Sequence, residues 1–85
     1  MWFLYIIQHT VTKQIYIGMT YNLRRRIEEH NQGKTYATRR KKGKWILIYS
    51  ELYRNKRDAF LREERLKHHG RAKQELLKRI KYSLL

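Results

Sequence analysis

Eighty-five residues suffice for one domain, residues 1–85, and leave no room for a second; at 41% hydrophobic and 13% aromatic the chain is too rich in packing residues for a disordered tail. It contains no cysteine, which excludes a disulfide framework and a thiolate metal site and fits a reducing, cytoplasmic setting, nucleoid association included. Lys and Arg number 21 against 7 Asp and Glu, a formal charge of +14 that works against compactness, so a polyanion is the expected partner.

The apolar N-terminus, Trp2 to Ile7, is too short to span a bilayer, has no basic residues ahead of it and reads as a strand. A polar stretch from His9 to Lys13 leads to a second run, Ile15-Tyr16-Ile17, stopped by Gly18. The pair reads as a hairpin whose turn type stays open, because neither Asn-Gly nor Asp-Gly is present. Thr20 or Asn22 caps a helix reaching about Gln32, with Gly33 as its stop. Lys34 to Lys44 is a basic loop, and Trp45-Ile46-Leu47-Ile48-Tyr49 is a third strand, apolar throughout and therefore expected to be central or covered on both faces. Helical sequence resumes near Asn55 and runs to His69, where Gly70 breaks it. A last basic helix, about Arg71 to Tyr82, carries Leu76, Leu77 and Ile80 as its apolar stripe. The order ββαβαα predicts an α+β domain, a three-stranded and mostly antiparallel sheet covered by helices. No helix pairs a broad apolar face with its basic one, which argues against a membrane surface as the partner.

Two helices hold ionisable groups that packing alone does not explain. On the first, Leu23 and Ile27 define the core stripe, and at about 100° per residue His30 falls beside Leu23. Arg26 lies one turn before His30; periodicity does not separate Arg24 from Arg26, and the pairing with His30 favours Arg26. A packed histidine satisfied by a backbone carbonyl is the plain alternative for His30. On the second, Ala59, Phe60 and Leu66 indicate the buried side, Glu63 falls close to it, and Arg62 and Arg65 face away. A carboxylate there requires a cation: either Lys67 as an i,i+4 ion pair, or a hard metal ion completed by waters and phosphate oxygens. His68-His69 is not a zinc site, since neighbours on a helix point about 100° apart.

The tyrosines decide between these readings. Phe3-Leu4-Tyr5 on the first strand is followed by Tyr16-Ile17-Gly18 on the second, then by Asn22-Leu23-Arg24-Arg25-Arg26-Ile27-Glu28-Glu29-His30, and later by Arg62-Glu63-Glu64-Arg65-Leu66-Lys67. Together with the basic loop and the Trp-to-Tyr strand, the assembly resembles the GIY-YIG nuclease superfamily. Within it the chain is similar to the small stand-alone bacterial proteins and to the N-terminal domain of the excinuclease C subunit. The likeness runs from Trp2 to the region of Lys73.

The resemblance implies that Tyr5 and Tyr16 are the tyrosines of the two half-motifs. It puts Arg26 at the catalytic arginine, His30 at the accompanying histidine or tyrosine, and Glu63 at the metal-binding glutamate. Phe3 stands where the first half-motif normally begins with glycine, a trait of the stand-alone branch, and the polar residue that some relatives place after the glutamate helix has no counterpart.

The implied chemistry is hydrolysis of a DNA phosphodiester. A divalent ion on Glu63, Mg2+ first and Mn2+ as the alternative, steadies the leaving oxygen, and Arg26 binds a non-bridging oxygen with a planar fork. Tyr16 is the expected general base, with Tyr5 or His30 assisting; a phenol needs nearby cations to bring it down from about 10. Arg39, Arg40, Lys41, Lys42 and Lys44, with Lys67 and the C-terminal helix, are expected to grip phosphates without reading sequence. The expected role is in DNA repair or recombination, with a preference for branched, nicked or bent DNA. A protein partner that supplies targeting is a further expectation. The alternatives are a DNA-binding module of the same fold that cuts weakly or not at all, and a small basic RNA-binding protein, which leaves Glu63, Arg26 and the spaced tyrosines unexplained.

Overall fold

The computed structural model describes residues 1–39 and 42–85, so Arg40 and Lys41 of the basic loop lie outside the described residues. The element order is the one read from the sequence: β1 (Trp2–His9), β2 (Ile15–Thr20), α1 (Leu23–Asn31), β3 (Trp45–Tyr53), α2 (Lys56–His68) and α3 (Gly70–Arg79). Both pairings of the three-stranded sheet are antiparallel, in the order β2-β1-β3.

The central strand is β1, not β3. Leu4 and Ile6 are buried on one face of the sheet and Tyr5 and Ile7 on the other, so β1 is the strand covered twice. β3 is an edge strand, and Leu47 (38%) and Leu52 (55%) remain exposed on it. Its apolar run conceals a bulge: Ile6 pairs with Tyr49 and Ile7 with Leu47, so the register skips Ile48.

The β1–β2 turn does without a glycine. His9 Nδ1 accepts from the Val11 and Thr12 amides at 3.2 Å, and Lys13 takes the left-handed conformation at φ 64°. The tip then receives the basic loop, because the Thr10 amide donates to the Lys44 carbonyl (3.0 Å) and the Lys44 amide to Thr10 Oγ1 (3.1 Å).

Asn22 caps α1 through the Arg25 amide at 3.1 Å, and Gly33 ends it at φ 74°. Asn55 caps α2 through the Arg57 amide at 2.8 Å. Leu23 and Ile27 of α1 pack beside Tyr5, Ile7 and Trp45 on one face; Leu66 of α2 and Leu76 of α3 join Leu4, Ile6 and Ile17 on the other. Phe60 is 47% exposed, so Ala59 and Leu66 alone set the buried direction of α2. α3 stops at Arg79, ahead of the expected end, and a 3-10 turn over Lys81–Ser83 follows. No helix among the described residues is long and apolar enough to cross a membrane.

Candidate active site

Tyr5 and Gly18 are direct partners across β1 and β2. The Tyr5 ring lies over the glycine so closely that an added Cβ would stand 2.5 Å from its hydroxyl oxygen. The glycine of Tyr16-Ile17-Gly18 thus makes room for the tyrosine of the neighbouring strand. Tyr5 is 1% exposed and sits within hydrogen-bond reach of His30 Nε2 at 2.7 Å.

His30 is buried, and its second nitrogen, Nδ1, lies 2.6 Å from Thr38 Oγ1. The Thr38 hydroxyl donates onward to the Thr35 carbonyl at 3.4 Å, which leaves it a lone pair for His30. This pattern assigns the proton to Nδ1, so Nε2 accepts from the Tyr5 hydroxyl. Burial, followed by the charge of Arg26, holds His30 down at about 4 against the pull of Glu29, so the ring is neutral at neutral pH. Burial likewise pushes Tyr5 up to about 12, although Arg26 donates to its hydroxyl and works the other way. At Tyr5 burial outweighs the nearby cation.

Thr38 is held in place from two sides. The loop turns over Tyr36–Thr38, a short 3-10 segment that the sequence reading passed over, and Trp45 Nε1 donates to the Thr38 carbonyl at 2.7 Å. Trp45 is fixed in turn by Asn31, whose Oδ1 accepts from its amide (2.7 Å) and whose Nδ2 donates to its carbonyl (3.1 Å). Asn31 thereby ties the end of α1 to the start of β3.

Arg26 sits above this buried network. Its Nη1 donates to Glu29 Oε1 at 3.1 Å, and with its bond to Tyr5 this outweighs burial and raises the guanidinium above its ordinary value. Tyr16 packs edge-on against His30 with ring centres 4.9 Å apart. It is half-buried and lines a cleft of about 180 Å³ with Ile15, Ile17, Leu66, Lys67 and Lys73. Lys67 Nζ lies 5.7 Å from the Tyr16 ring centre and 3.2 Å from Glu63 Oε2, and the Glu63 charge is felt at Tyr5. Glu63 therefore makes the plain i,i+4 ion pair, with the same lysine that meets the Tyr16 ring.

Tyr5, Tyr16, Arg26, His30, Glu63 and Lys67 are thus brought to one region by β1, β2, α1 and α2. Arg39, Lys42 and Lys44 lie outside it on the exposed loop, where Arg39 covers the Tyr36 ring at 5.5 Å. The sequence reading missed Thr38, Asn31 and Lys73. It also misplaced Arg62, which does not face away: its Nε and Nη2 donate to Glu51 at 3.0 and 3.2 Å, while Tyr49 and Tyr53 hydroxyls donate to the same carboxylate at 2.6 and 2.7 Å. Tyr49-x-Glu51-x-Tyr53, with the strand period of two, is the signal that was available for Glu51.

Glu63 is the carboxylate paired with Lys67 of the cleft wall. Its side chain is 14% exposed, and no group of three or more His, Cys, Asp or Glu gathers among the described residues. This donor set fits a hard divalent ion held by a single carboxylate, with waters and phosphate oxygens filling the remaining positions. It does not fit zinc, which needs several nitrogen or sulfur ligands.

Residues 1–77 match the model of the GIY-YIG catalytic domain. The chain belongs to the GIY-YIG family. It is 33% identical over 76 residues to a UPF0213 protein of Pectobacterium carotovorum, a match covering 89% of this chain and 76% of that one. Its identity to the UPF0213 protein YhbQ of Escherichia coli K12 is also 33% over 76 residues, covering 89% and 75%. The solution structure of a UPF0213 protein from Bacillus halodurans superposes with a TM-score of 0.57 at 30% identity, covering 95% of this chain and 86% of that one. GIY-YIG membership implies nuclease-type activity with DNA as substrate, and nucleases of this family generally use divalent metal ions.

Proposed function

We propose that this GIY-YIG chain, acting as one domain over residues 1–85, is a metal-dependent DNA endonuclease with little sequence preference that works in repair or recombination. The observation that carries the reading is the convergence of Tyr16, Arg26, Glu63 and Lys67 beside the buried Tyr5–His30–Thr38 chain. Glu63 would hold a divalent ion, Mg2+ or Mn2+, whose chemistry is to polarise the phosphoryl group and stabilise the departing alkoxide.

The other roles belong to the side chains. Tyr16 faces the cleft and takes the proton of the attacking water. Arg26, one-third exposed, binds a non-bridging phosphate oxygen and meets the charge that grows on it in the transition state. Tyr5 stays protonated and bonded to neutral His30, so it acts as a positioning residue that holds Arg26 and Tyr16 in place. Arg39, Lys42, Lys44 and Lys67, with Arg40 and Lys41, grip the DNA backbone; a protein partner supplies targeting.

A second reading, a module that binds DNA without cutting it, draws on one observation: Lys67 already neutralises Glu63 at 3.2 Å. Incubation of the purified chain with supercoiled and branched DNA, with and without Mg2+, separates the two. The enzyme reading expects metal-dependent nicking that Arg26→Ala and Tyr16→Phe each reduce by about 100-fold or more. Binding with no cutting by the wild type under any metal favours the second reading.

A further inference from the structure

The cleft at Tyr16 occupies only one flank of α2. Taking the direction of Ala59 and Leu66 as inward, Glu63 and Lys67 fall to one side at about 100° per residue, and Arg62, Arg65 and His69 fall to the other. On that second flank α2 and α3 enclose a groove of about 720 Å³, lined by Arg62, Arg65, His69, Arg71, Glu75 and Arg79 over a floor of Ala72 and Leu76.

The charge of this groove is not used up within the fold. Arg62 is bound to Glu51. Arg71 meets Glu75 at 3.1 Å, but both side chains are largely exposed, and such a pair contributes at most about 1 kcal/mol. Arg65 and Arg79 have no ion pair or side-chain hydrogen bond among the described residues. Arg65 and Arg79 stand in the last turns of α2 and α3, where the negative end of each helix favours a cation, whereas Arg71 in the first turn of α3 has no such support and only its exposed pair with Glu75.

Across the back of α2 the groove and the cleft do not run together. The exposed back of α2 between them carries Leu61, 52% exposed, and Glu64, which pairs with His68. A polyanion passing from the cleft to Arg65 over the back of α2 would cross an apolar side chain and a carboxylate. The lining offers guanidinium forks suited to phosphate and no Asn or Gln suited to base edges.

We propose that the α2–α3 groove is a second binding site for a nucleic-acid phosphate backbone, so that one copy of the chain holds two DNA segments, one on each flank of α2. The proposal rests on the DNA-binding reading of the Tyr16 cleft, but not on cutting. It gives the preference for branched DNA a structural origin, because a junction presents two backbones side by side.

The test measures stoichiometry with short duplexes, without metal, by sedimentation and native mass spectrometry. The wild type is expected to form a complex of one chain with two duplexes. Arg65→Ala with Arg79→Ala, which removes exposed side chains and leaves the core intact, is expected to bind one, with a salt slope lower by about 2. A wild type that takes only one duplex, a double variant that still takes two, or a groove that takes an acidic peptide in place of DNA would each overturn the proposal. Intact stoichiometry together with absent cutting would sink the nuclease reading alone.

Discussion

At the residue scale, two positions explain why the tyrosine motif has its form. Gly18 is required because a Cβ there would press on Tyr5, which is fully buried and bonded to His30 and so has nowhere to move. Gly18→Ala should cost about 1–3 kcal/mol in urea unfolding and reduce cutting as Tyr5 is displaced. His30 is kept neutral by burial, and this sets a sign for pH. Its folded value, about 4, lies below the ordinary 6.5, so the unfolded chain takes up the proton first as pH falls. The stabilisation is complete above about pH 6.5, is lost progressively between there and about pH 4, and is gone below, a swing on the order of a few kcal/mol. His30→Gln should flatten unfolding free energy against pH across that window, leaving only the remaining groups to titrate. An unchanged profile would mean that His30 does not titrate as its burial requires.

At the element scale, α2 is held to β3 by a carboxylate with three partners. Glu51 is used by Arg62, Tyr49 and Tyr53; burial would raise its carboxyl, yet those hydrogen bonds hold it below the ordinary range. Arg62→Met should destabilise by about 1–3 kcal/mol, because it leaves a part-buried carboxylate short of its cation, and adding Glu51→Gln should recover part of the loss. A double-mutant cycle in urea measures the coupling. The sequence disclosed the elements well and their lateral order poorly. Periodicity and caps located the three α-helices and three strands, since Asn22, Gly33 and Asn55 act locally. Strand order was hidden because β3 has as apolar a run as β1, and only the burial of β1 on both faces separates them. Spacing and the family resemblance selected Tyr5, Tyr16, Arg26, His30 and Glu63 as candidates, and the proposed site is built on them. Thr38, Asn31 and Lys73 were not selected, since each meets the site through a loop turn or a helix packing that no local pattern encodes.

For the whole molecule, the charge of +14 divides into regions with different tasks. Arg39, Lys42 and Lys44 are exposed on the loop, Lys67 and Lys73 wall the cleft, and the arginines of α2 and α3 line the second groove. DNA affinity should therefore fall steeply with salt, and Lys42→Ala with Lys44→Ala should lower the slope by about 2 in a fluorescence titration while leaving unfolding unchanged. Against this basic surround the acidic centre is sparse, and the account turns on Glu63. The most direct test compares wild type and Glu63→Gln for DNA affinity in chelator and for single-turnover cutting across a Mg2+ titration. The account predicts affinity within about 3-fold and cutting reduced by about 100-fold or more at every Mg2+ concentration. Equal cutting by Glu63→Gln, or cutting by the wild type that ignores the metal, would contradict it.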